Sequence, residues 1–77
     1  MSMTVYVKGK SKKQINEDLL IGAKFNAVEY GMTGNTTHKL DSNLPTGTTI
    51  KVFEKYIGGS PYAKAYGTWN AEKSKIV

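Results

Sequence analysis

The chain has no cysteine, no arginine, one histidine and two prolines in 77 residues. Each shortage excludes something. Without cysteine, and with a single histidine, neither a disulfide nor a Cys/His metal site can staple the fold. A chain this short buries only about 60% of its unfolded surface, so it depends on a tight small core or on a partner chain. The lack of cysteine suits a reducing compartment. Nothing approaches the roughly 18 apolar residues of a membrane span. The opening Met1-Ser2-Met3-Thr4-Val5-Tyr6-Val7 carries neither a charged leader nor a signal-like apolar run. These features predict a single soluble cytoplasmic domain with no membrane partner.

Acidic residues are also few. There are six, and they are scattered. No pair is spaced for general acid–base work. His38 has Asp41 and Ser42 nearby, but one loop does not orient a base against a nucleophile; His38 reads as a surface or strand-edge residue. A non-enzyme without cofactor or metal is expected.

What is abundant is lysine. All eleven cations are Lys, and the formal net charge is +5. Such a balance suggests an acidic partner, either nucleic acid or an acidic protein, although charge of this size also serves solubility. Arginine supplies the forked contacts that read guanine edges and clamp phosphates. Binding by lysine alone is therefore expected to be electrostatic and weakly sequence-selective. A homo-oligomer is a further option. The size and layout suit a small accessory protein of bacteria or phages.

Alternation of β-forming residues predicts strands over Thr4–Lys8, Ala23–Tyr30, Thr36–Leu40, Thr48–Tyr56, Tyr62–Trp69 and Ser74–Val77. Tyr6 and Tyr30 are expected to cover sheet edges, and Trp69 to be core. Ser11 followed by Gln14 makes a capping box, Ile15 and Leu19 share a face, and Gly22 is a natural stop. A helix over Lys12–Ile21 follows, too short to be stable unless it docks. Gly31-Met32-Thr33-Gly34-Asn35 and Gly58-Gly59-Ser60-Pro61 read as turns, and residues 41–47 as a loop. The expected fold is α+β and mostly β. It is a strongly bent antiparallel sheet, an SH3-like partial barrel, with one short helix after the first strand. An OB-type barrel and a flat sheet under one helix are the alternatives.

Two groups of residues are candidate binding sites. Lys8, Lys10, Lys12 and Lys13 crowd the helix start. Lysine there opposes the helix dipole by roughly 0.3–1 kcal/mol each, while the free amides beside it favour an anion. Gly9-Lys10-Ser11 matches the end of a phosphate-binding P-loop. The first glycine of that pattern would fall at position 4, which is Thr4, so a P-loop is rejected. The bland reading is a solvated basic turn. The second group is Tyr62, Lys64 and Tyr66, placed on one face by period-two spacing, with Lys55 extending the surface before the Gly-Gly turn. Single-strand binders combine rings that stack bases with lysines that track phosphates. The bland alternative buries one of the two faces as core. Together these residues predict a non-catalytic nucleic-acid-binding β-domain for single-stranded or duplex partners. The alternative is an interaction module or small inhibitor that binds an acidic protein.

Overall fold

Val5 and Val7 are fully buried while Thr4 and Tyr6 are only partly so, the alternation of a strand packed on one side. This first strand, β1 (Thr4–Val7), lies at the centre of a six-stranded sheet. The computed structural model describes residues 3–9, 11–58 and 60–77, and only the backbone of Tyr56, Ser60 and Pro61. After β1 come α1 (Lys12–Leu20), β2 (Asn26–Gly31), β3 (Gly34–Lys39), β4 (Thr49–Ile57), β5 (Ser60–Asn70) and β6 (Lys75–Ile76). The spatial order is β3-β2-β1-β4-β5-β6. The sheet curls strongly into a half-barrel, in keeping with the SH3-like partial barrel expected. It is mixed rather than wholly antiparallel, because β1 runs parallel to β4, with Val5 opposite Ile50 and Val7 opposite Val52.

Ser11 caps the helix through Gln14 N–H, which donates to its Oγ at 3.1 Å. Only this half of the capping box forms, since the Gln14 side-chain amide turns forward to donate to Asp18 Oδ1 at 2.8 Å. The helix stops one residue before its expected end. Gly22, at φ +91°, closes it with a Schellman pair of bonds: Ala23 N–H to Asp18 O and Gly22 N–H to Leu19 O. Ile15 is buried against Val5, Val7, Ala27, Leu40, Leu44, Ile50, Trp69 and Ile76. Burying each such aliphatic side chain contributes about 1.5–3 kcal/mol, which is what holds so short a helix in place. Asn16 adds a second anchor. Its Nδ2 donates to Ile76 O at 2.9 Å, and Ile76 N–H donates to its Oδ1 at 2.8 Å. The amide thus continues the hydrogen-bond ladder past the edge strand β6.

The strands start and end within a few residues of expectation, and both expected turns are tighter: Gly34 and Asn35 already pair with Gly31 and Tyr30. The turn expected over Gly58–Pro61 is shorter, because Ser60 and Pro61 already pair with Ile57 and Tyr56. Gly59 lies outside the described residues. Trp69 is fully buried, and its Nε1–H donates to Asp41 O at 3.0 Å. His38 sits half-buried on the edge strand β3, 3.1 Å from Glu29 Oε1. Among the described residues no helix is long and apolar enough to cross a membrane.

Candidate nucleic-acid interface

The helix-start lysines divide. Lys8, Lys12 and Lys13 are exposed, no ion pair engages them among the described residues, and the first turn of α1 holds no acidic residue. Lys10 lies outside the described residues. Lys8 lines a groove on the sheet face turned away from the helix. Lys12 lines a neighbouring hollow of about 380 Å³ with Ser11, Val52, Glu54, Lys64 and Tyr66. Phe53 borders both. The two meet there because the pairing of β1 with β4 ends at Val52 while β4 runs on.

The expected face of Tyr62, Lys64 and Tyr66 runs into a bulge at its end, and Lys64 and Tyr66 still line one hollow. Ile50 pairs with Gly67 and Lys51 with Ala65, so Tyr66 is the extra residue and the alternation resets. Trp69 therefore enters the core on the face that also carries Lys64. Strict alternation would put these two on opposite faces. Tyr66 is half-buried against the core cluster. Burial, and then the Glu54 carboxylate, push its phenol above the ordinary tyrosine range. Lys64 is mostly exposed, its Nζ 3.9 Å from Glu54 Oε1, which offsets part of its charge. Tyr62 is exposed and pairs across the ladder with exposed Lys55. These two residues decorate the far end of the β4–β5 ribbon, beyond the reach of β1.

A second aromatic cluster lies on the sheet itself. Tyr6 and Tyr30 were expected at sheet edges. Instead Tyr6 is on the central strand and Tyr30 on its neighbour, with ring centroids 5.1 Å apart and planes 74° apart, an edge-to-face pair. Lys51 Nζ stands 6.0 Å from the Tyr6 centroid, at the outer limit of a cation–π contact. Beside them a groove of about 500 Å³ is lined by Tyr6, Phe25, Asn26, Val28, Tyr30 and Phe53, with Lys8 and Lys24 at its margin. The register puts Thr4, Tyr6, Asn26, Val28, Tyr30, Asn35, Thr37, Thr49, Lys51, Phe53, Ala63 and Ala65 on this one face. None of them is acidic. Two carboxylates stand in adjoining hollows: Glu54 in the one that Phe53 shares, and Asp41 in one beside Lys24 and Lys39, where its Oδ1 accepts from Asn43 N–H.

The signal for this face was present in three separate segments. Thr4/Tyr6/Lys8, Lys24/Asn26/Val28/Tyr30 and Thr49/Lys51/Phe53 each place one aromatic and one lysine at period-two spacing. Only the strand order brings them side by side. Among the described residues no group of three His, Asp or Glu side chains is placed to hold a metal. No protein-family model, curated protein or solved structure matches the chain.

Proposed function

We propose that this chain is a non-catalytic nucleic-acid-binding β-domain of weak sequence selectivity, working in the cytoplasm. One observation carries the reading: a sheet face, with no acidic residue among the described residues on it, that joins Tyr6, Tyr30 and Phe53 to Lys8, Lys24 and Lys51. Aromatic rings beside lysines meet both needs of a nucleic-acid surface, stacking for bases and positive charge for phosphates. Lys12, in the hollow that shares Phe53, extends the positive surface past the edge of the face. With no arginine in the chain, the contacts are point charges and carry little base information.

A titration of the full chain against single-stranded and duplex oligonucleotides at two salt concentrations tests this. If four lysines each neutralise a phosphate of a single strand, affinity falls roughly 50-fold between 50 and 200 mM salt. Absence of binding at the lower concentration removes the reading. Capture of one acidic protein that survives nuclease treatment, with no affinity for oligonucleotides, replaces it with the interaction-module alternative.

A further inference from the structure

Resting on the nucleic-acid reading, we infer that the groove beside Phe53 receives a single unpaired base, and that the protein selects single strands over duplex. The first argument is shape. A duplex is read by a protein element that projects into its groove. Here the aromatic surface is recessed, so the projecting part must come from the nucleic acid. An unstacked base is the part that projects. The second argument is size. About 500 Å³ falls in the range of pockets that take small-molecule-sized groups. The third is lining. Phe25, Tyr30 and Phe53 offer ring surface, and Asn26 offers an amide with both donor and acceptor for a base edge. The fourth is charge. Lys8 and Lys24 border the recess, where a phosphate flanking the inserted base would pass. A second copy of the chain fits poorly, because face-to-face docking brings together two faces that both carry Lys8, Lys24 and Lys51.

Phe53 is the residue to change. It is half-buried on the open face and absent from the core cluster. Replacing a stacking ring by alanine is expected to weaken binding of oligothymidylate about 5- to 150-fold, from 1–3 kcal/mol per base. Duplex binding, driven by lysine, should change less than about twofold. Circular dichroism checks that Phe53→Ala keeps its fold. An independent measurement needs no variant: an oligonucleotide carrying 5-iodouracil is irradiated with the unmodified protein, and the crosslinked peptide is identified by mass spectrometry. Attachment at Phe25, Tyr30 or Phe53 supports the inference. Attachment confined to Tyr62 overturns it, as does equal loss of single-strand and duplex affinity in Phe53→Ala. Both of those results leave nucleic-acid binding standing. Failure to bind either oligonucleotide at low salt removes both readings, and a dimer whose formation shields Phe53 from chemical labelling removes the base site.

Discussion

Gly67→Ala should be among the most damaging single-methyl changes available in this chain. Gly67 sits at the β5 bulge with φ +145°, a conformation close to glycine-only. A β-carbon built there would overlap the carbonyl oxygen of Val77 and lie 3.2 Å from its carbon. Two costs combine. Forcing an L-residue into this region is worth about 1–3 kcal/mol. Relieving the overlap pushes the C-terminal strand away, which breaks the reciprocal bonds Thr68 N–H to Val77 O at 3.1 Å and Val77 N–H to Thr68 O at 2.8 Å. Those are worth about 1 kcal/mol each, net of water. The sum, about 3–5 kcal/mol, lowers Tm by about 12 °C or more in a domain of this length. Urea and thermal unfolding followed through the fluorescence of buried Trp69 measure it. Gly22→Ala is the control. Its φ of +91° is also unfavourable, but nothing lies within 4 Å of the added carbon, so about 1–2 kcal/mol is expected. If the two variants lose equal stability, the close approach of the last strand to the bulge does not constrain the fold, and the reasoning fails.

Asn16→Ala removes both bonds to the Ile76 backbone and should cost about 1–3 kcal/mol; hydrogen exchange should show the Ile76 amide losing protection ahead of Val5 and Ile50. Ile15→Ala, at the only fully buried position of the helix, should cost about 2–5 kcal/mol, read by the same unfolding curves. The raised Tyr66 phenol makes stability depend on alkaline pH. The unfolded chain ionises this tyrosine first, so its contribution is intact below the ordinary tyrosine range and is lost as pH rises through it. Tyr66→Phe should flatten the alkaline limb of a stability–pH curve, and an unchanged limb would show that the phenol is not held neutral by its surroundings.

How far the sequence reveals the fold depends on which interactions specify each element. Local chemistry specifies the helix: Ser11, Gln14 and Gly22 mark its ends, and the structure departs from them by one residue. Alternation locates all six strands, and the size and apolar ring of Trp69 mark it as core. What local chemistry does not carry is register. The parallel pairing of β1 with β4 involves residues 45 positions apart in the chain, such as Val5 and Ile50, and no pattern within either segment encodes the partner. The bulge at Tyr66 is invisible for a related reason. Gly67 suits it by its positive φ, and the need for glycine there comes from the close approach of Val77, far along the chain. A one-residue reset turns every later side chain of β5 to the other face, which puts Trp69 opposite Ala63 and Ala65, with which strict alternation would group it.

The same distinction explains why the lysine corner was conspicuous and the aromatic face was not. A corner made of adjacent residues can be read directly, whereas a face made of three strands exists only after they are ordered. The physical content of the two also differs. Exposed lysines interact with phosphates through water, lose strength with salt, and would attract any polyanion. Rings in a recess need a partner with a flat apolar surface, and they gain from excluding water. Only the combination discriminates among polyanions, because an acidic protein offers charge without a row of planar bases. In this chain the combination arises where β4 outruns β1: Phe53 stands at the junction, with Lys8 on one side and Lys12 on the other. The proposed functional weight therefore shifts from the Tyr62–Tyr66 segment, where Glu54 faces Lys64 and Tyr66 packs against the core, to the end of the central strand.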